Sequence, residues 1–172
     1  FINQKPGQEH EWHLDVEYGS WKGVTLWLGL RNLNNKTSLS IITHSHLLDT
    51  APRELSDKKK LNCIDDNEIL EEAQKLDSRC ELKKFNLNAG EFIIWSGRMW
   101  HSTRNKSNKS RESMILQYCT PNNITKIPAN FDYPNTMWRK TKPPCILLFG
   151  NDSFNYNKIV SWDHVRSLSK TL

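Results

Sequence analysis

The chemistry legible in this chain begins with His13 and Asp15, two positions apart in Glu11-Trp12-His13-Leu14-Asp15-Val16-Glu17. Successive side chains of a β-strand point to opposite faces, so residues at this spacing project together. An imidazole beside a carboxylate supplies two of the three ligands of a 2-His-1-carboxylate facial triad. That donor set leaves positions open on a non-haem Fe(II) ion. The pair H-x-D is common by chance. It gains meaning only if a second histidine and an anion-binding arginine arrive downstream.

Both arrive. His101 follows Gly97-Arg98-Met99-Trp100, and Arg111 begins Arg111-Glu112-Ser113-Met114-Ile115-Leu116. The distance in sequence puts His101 on a different strand from His13, as convergence on one ion requires. A guanidinium is always charged and grips a carboxylate through two parallel hydrogen bonds. Buried without an anion it would be costly. The alternative is a surface arginine in a charged loop with Arg104, Lys106 and Lys109.

The ordered set resembles the phytanoyl-CoA dioxygenase family of Fe(II)/2-oxoglutarate oxygenases. The matching elements are His13 and Asp15, Trp27 in Leu26-Trp27-Leu28-Gly29-Leu30, the turn Thr43-His44-Ser45-His46, Gly90-Glu91, His101, Asn105 and Arg111. Thr43-His44 stands where the family has Pro-Gly. The likeness covers roughly residues 10 to 121. It implies that His13, Asp15 and His101 hold Fe(II), and that Arg111 takes the distal carboxylate of the co-substrate 2-oxoglutarate. Thr103 would assist Arg111 and Trp27 would pack along the co-substrate; a core threonine and a core tryptophan would look the same. With O2 the expected reaction is hydroxylation of an unidentified small molecule, an acyl-type compound among the candidates, giving succinate and CO2. Relatives that halogenate carry a small residue in place of Asp15, so the aspartate points to hydroxylation. Two other readings stay open: a catalytically impaired cupin-type metal-binding domain, and a metal-free ligand-binding jelly roll.

Strands must position these residues. Glu11 to Glu17 is expected as a strand with Trp12, Leu14 and Val16 on one face and His13, Asp15 and Glu17 on the other. Lys22 to Arg31 alternates Val24, Leu26, Leu28 and Leu30 against Thr25, Trp27 and Gly29. Ser38 to Ile42, Glu81 to Leu87, Glu91 to Trp95, Met99 to Thr103 and Glu112 to Cys119 read as further short strands, with a turn at Asn88-Ala89-Gly90. Many short strands suggest a mainly β fold, a double-stranded β-helix or cupin-like jelly roll. Residues 47–80 break the pattern and are expected as an insert or lid, helical over Asn67 to Asp77; a solvated surface helix fits equally. The segment 121–172 is irregular and is assigned a packing role. Cys145 to Phe149 reads as a strand or core plug, and Val160 to Leu168 as a terminal helix.

The bulk composition sets bounds. The 172 residues are 37% hydrophobic, enough for one globular domain spanning 1–172. Only twelve residues precede His13, so the N-terminal portion usual in the resembled family is expected to be missing. No apolar run approaches the ~20 residues of a membrane helix. The net charge of +5 is dispersed and requires no nucleic acid. Cys63, Cys80, Cys119 and Cys145 form no C-x-x-C pair, which removes zinc-ribbon and thioredoxin-like chemistry. Free thiols and the lack of a signal-peptide pattern point to a cytoplasmic setting. The five N-x-S/T sites are too close to chance to argue otherwise.

Overall fold

In the computed structural model, residues 1–15, 22–123 and 144–163 are described. Val16, Glu17 and most of the expected terminal helix lie outside them. The chain divides into two compact units, residues 1–17 with 23–118, and residues 18–22 with 119–172.

Among the described residues the first unit contains eight strands: β1 (Ile2–Gln4), β2 (Glu9–His13), β3 (Gly23–Arg31), β4 (Leu39–Ile42), β5 (Leu82–Phe85), β6 (Phe92–Ser96), β7 (His101–Arg104) and β8 (Arg111–Cys119). They form two four-stranded sheets, ordered β1-β8-β3-β6 and β2-β7-β4-β5. The chain passes from one sheet to the other at nearly every connection, which is jelly-roll topology. The mainly β expectation therefore holds, with two facing antiparallel sheets rather than a closed barrel. Asn88 to Gly90 is not a hairpin turn. It carries the chain from β5 in one sheet to β6 in the other. Gly90 adopts φ +89 there. Gly29 lets this crossover lie close, because a Cβ on it would meet Leu33 at 2.6 Å and the Asn88 carbonyl at 3.1 Å.

The alternation of β3 resolves in the less obvious sense. Thr25 and Trp27 turn inward and are buried, while Val24 and Leu30 face outward and are partly exposed. Trp27, Leu39, Ile41 and Trp95 form the core between the sheets. Adjacent Ile42 points the other way, into a second core with Trp12 and Trp100.

Residues 47–80 cover that second face. They form α1 (Pro52–Lys59) and α2 (Asp66–Leu76). Asp65 caps α2 by accepting from the Asn67 and Glu68 amides at 2.8 and 3.1 Å. Leu55, Cys63, Ile69, Ala73 and Cys80 pack against Trp12, Ile42 and Trp100. The insert is thus neither a lid over the inter-sheet space nor a solvated excursion. The sheet's outer face presents two tryptophans that water would otherwise solvate, and the helices bury them. Arg104 and Trp12 both reach the α2 residue Asp66, at 2.6 and 3.0 Å, and Lys84 pairs with its other oxygen at 2.9 Å.

In the second unit, β9 (Pro144–Cys145) pairs in parallel with β10 (Lys158–Ile159). Leu148 and Phe149 are 60% and 95% exposed, so the Cys145 to Phe149 run does not plug a core. Residues 160 and 161 are not helical. Among the described residues no helix is long and apolar enough to cross a membrane.

The packing of the insert predicts a contrast within one helix. Ile69→Ala should destabilise the protein by about 2–5 kcal/mol, as a fully buried site does. Leu76→Ala, at a half-exposed position, should stay within about 0.5 kcal/mol. Urea midpoints of the two variants measure the difference.

Candidate metal centre and anion pocket

The local event that builds the site is a register shift between β2 and β7. His10 lies opposite Thr103, but His13 lies opposite His101, so β2 spends one residue more than its partner. Such a bulge changes which face the following side chains take. His10 and His13 consequently both face inward, three positions apart, with ring centroids 4.0 Å apart. Trp12 faces outward into the insert. Its amide, left out of the ladder, donates to the Cys63 carbonyl at 2.9 Å. Asp15 lies just past the end of β2 rather than on it. The expected strand over Glu11 to Glu17 stops at His13 for that reason, and simple alternation is not what unites the pair.

His13, Asp15 and His101 nevertheless converge. One ligand-type atom from each lies within 4.8 Å of the others, and no second group of three such residues occurs among the described residues. The His13 and His101 rings are 4.1 Å apart by centroid. Asp15 Oδ1 is 3.7 Å from His101 Nε2. Each histidine is steered by a carbonyl two residues earlier: His13 Nδ1 lies 2.7 Å from the Glu11 oxygen, and His101 Nδ1 lies 2.9 Å from the Met99 oxygen. Donation from Nδ1 fixes the tautomer that leaves the Nε2 lone pair free for a metal.

Electrostatics favour that state. Burial pushes the His101 imidazolium down to about 4, so the ring is neutral at pH 7. Burial, then the neighbouring His101 and His10, lower His13 in the same direction. Burial raises the Asp15 carboxyl, while donation from Thr25 and the proximity of His13 pull it back. Thr25 Oγ1 donates to Asp15 Oδ2 at 2.5 Å. The Trp95 indole N–H lies near the same carboxylate without reaching hydrogen-bond geometry. Two neutral imidazoles and one carboxylate, drawn together in a desolvated pocket, fit a divalent first-row metal.

Arg111 is the second feature. It begins β8 opposite Gln4 of β1 and is 1% exposed. Its guanidinium carbon lies 5.1 Å from the Trp27 ring centroid, a cation–π contact. Among the described residues none offers a hydrogen-bond partner to its Nε or Nη1. Burial lowers it to about 10, which still leaves it charged at neutral pH. Thr103 is buried on the inner face of β7, and its carbonyl accepts from Gln4 Nε2 at 3.3 Å. Gln4, His10, Thr103 and Arg111 line one cleft of about 500 Å³. Trp27 therefore lies against the guanidinium.

Other residues singled out from sequence take structural places. Asn105 is fully buried and holds the loop before β8, donating to the Gln4 and Lys109 carbonyls at 2.8 Å each. In the Thr43 to His46 turn, His44 adopts φ +62, the left-handed backbone that glycine takes most easily. Ser45 Oγ accepts from the Trp100 amide at 2.8 Å, fixing the residue before His101. Glu17 lies outside the described residues. Sequence reasoning did not find β1 and so missed Gln4. It also passed over Thr25, although the alternation of β3 placed Thr25 on the same face as Trp27.

The lowered His101 sets a pH dependence. A histidine whose folded pKa lies below its ordinary 6.5 costs stability as pH falls from about 6.5 towards about 4, because the unfolded chain takes the proton first. The loss amounts to about 3 kcal/mol. Asp15 is raised and acts in the opposite sense, so the test is differential. Denaturant midpoints of metal-free His101→Gln should fall less steeply than those of the parent between pH 6.5 and 4.

The model of the family described as phytanoyl-CoA dioxygenase (PhyH) matches residues 1–113. No curated protein sequence matches. Similar solved structures include AviO1 from Streptomyces viridochromogenes Tue57, 17% identical with a TM-score of 0.48, covering 71% of this chain and 49% of that one. Another is EvdMO1, 17% identical with a TM-score of 0.45, covering 70% of this chain and 26% of that one. The chain thus spans about half of the first and a quarter of the second. The family match takes in β1 to β7, His13, Asp15 and His101, and reaches Arg111: the chain belongs to the phytanoyl-CoA dioxygenase (PhyH) family, whose members are of the Fe(II)/2-oxoglutarate oxygenase type.

Proposed function

We propose that this protein is an Fe(II)- and 2-oxoglutarate-dependent dioxygenase that hydroxylates a small-molecule substrate. The observation that carries the reading is the buried Arg111 guanidinium, with Nε and Nη1 unpartnered among the described residues, lining one cleft with His10, whose ring lies 4.0 Å from that of the ligand-type His13. A buried cation without a partner costs several kcal/mol, and a fold retains it where an anion is to be bound.

His13, Asp15 and His101 would hold the metal, contributing two neutral nitrogens and one negative oxygen. When bound, Fe(II) supplies the activation of O2 at the expense of 2-oxoglutarate, which leaves as succinate and CO2. Arg111 pairs its charge with the distal carboxylate, and Thr103 lines the same cleft. Trp27 stacks on the guanidinium and keeps it aimed. Trp95, with its ring 5.0 Å from that of His101, and the inter-sheet core exclude water from the reacting groups. The acyl-type class of prime substrate comes from the family name.

The test is succinate formation from 2-oxoglutarate by anaerobically Fe(II)-loaded protein after exposure to air. His101→Ala should abolish it with loss of metal binding. Arg111→Met should raise the 2-oxoglutarate requirement by about 100-fold, the worth of a charge-assisted pair. Arg111→Met should also raise the unfolding free energy of the metal-free protein by about 1–3 kcal/mol, since it removes an uncompensated buried charge. A structural arginine would give the opposite sign. Tight Fe(II) binding without turnover selects the catalytically impaired cupin-type domain instead. No metal binding overturns the oxygenase reading.

A further inference from the structure

Asp15 reaches the candidate centre from beyond the end of β2, where its amide donates to the Gly97 carbonyl at 3.0 Å and leaves the side chain to be held separately. The group that does hold it comes from the opposite sheet. Thr25 lies on β3, is fully buried, and donates to Asp15 Oδ2 at 2.5 Å. The other oxygen, Oδ1, is the one beside His101 Nε2, at 3.7 Å. Thr25 is paired across the sheet with Trp95, whose ring approaches His101. The hydroxyl thus divides the carboxylate into one oxygen tied to the sheet and one presented to the imidazoles.

We propose that Thr25 is a positioning residue for the metal centre, holding Asp15 so that Oδ1 alone is offered as a ligand. The inference rests on the reading of His13, Asp15 and His101 as metal ligands. Its physical basis is general. A carboxylate has two equivalent oxygens and rotates about a soft torsion, so a free one can chelate a metal through both. A chelating aspartate would consume a position needed by co-substrate or O2. A hydrogen bond from a buried hydroxyl to one oxygen removes that option and orients the other. Because Thr25 and the two histidines belong to different sheets, the same bond also sets the spacing of the sheets at the site.

The test crosses two variants. Thr25→Val keeps the shape and loses the hydroxyl; Thr25→Ser keeps the hydroxyl and loses a methyl group. Co(II) and Fe(II) affinities by chelator competition, and the visible absorption of the Co(II) form, report on the centre without turnover. Melting of the metal-free proteins reports on packing. Thr25→Val should weaken metal binding by about 10- to 100-fold and alter the Co(II) spectrum, with Thr25→Ser close to the parent in both. Thr25→Val matching the parent in affinity and spectrum overturns the inference and leaves the metal centre standing. So does the reverse order, with Thr25→Ser the more impaired, which marks a packing role. A parent protein that takes up neither ion overturns the metal centre itself, and the inference with it.

Discussion

The one-residue register shift between His10 and His13 is the constraint on which the rest of this structure depends. Without it, His13 would follow the parity of the ladder and face outward with Glu11, and Trp12 would fall between the sheets. With it, Trp12 becomes the anchor of the insert, and His13 meets His101 and Asp15. The shift has a local cost, an amide excluded from strand pairing. The Cys63 carbonyl meets that cost from the insert. The helices on the outer face and the candidate metal centre on the inner face are therefore two results of one irregularity.

The inter-sheet space is correspondingly mixed in character. One part is an ordinary core of Trp27, Leu39, Ile41 and Trp95. Beside it lie the half-buried Asp15 and His13 and the buried His101 and Arg111, with His10 at the exposed rim. Burial drives the histidines towards their neutral forms and the aspartate in the same direction. Arg111 alone resists neutralisation and stays charged. The pocket therefore carries a standing demand for negative charge at Arg111 and for a Lewis acid at the three ligand-type side chains. We propose that a keto diacid and the metal it chelates meet them.

Much of this was legible in the sequence. The ordered placement of His13, Asp15 and His101 points to three residues whose ligand-type atoms do lie together, and the repeated short β runs point to the jelly roll. What escaped has physical causes. A bulge leaves no compositional mark, so the strand through His13 was drawn too long and the union of His13 with Asp15 was credited to alternation. Ile2–Gln4 is too short and too polar to register as a strand, although its pairing with β8 places Gln4 opposite Arg111. Pro52 and the lysine run suggested a solvated excursion, whereas proline suits the first turn of α1 and the lysines its last. The lid expectation failed because the exposed outer face of a sheet bearing Trp12 and Trp100 is not a sequence-local property.

The bond from the Trp12 amide to the Cys63 carbonyl has a kinetic consequence. It joins segments far apart in the chain, as do the pairings of His13 with His101 and of Gln4 with Arg111. Contacts of this kind are won only after long loops have closed, so each requires chain entropy to be given up before the contact returns anything, which slows folding. The bulge and its clasp on the insert thus tie the assembly of the candidate centre to the closure of long loops.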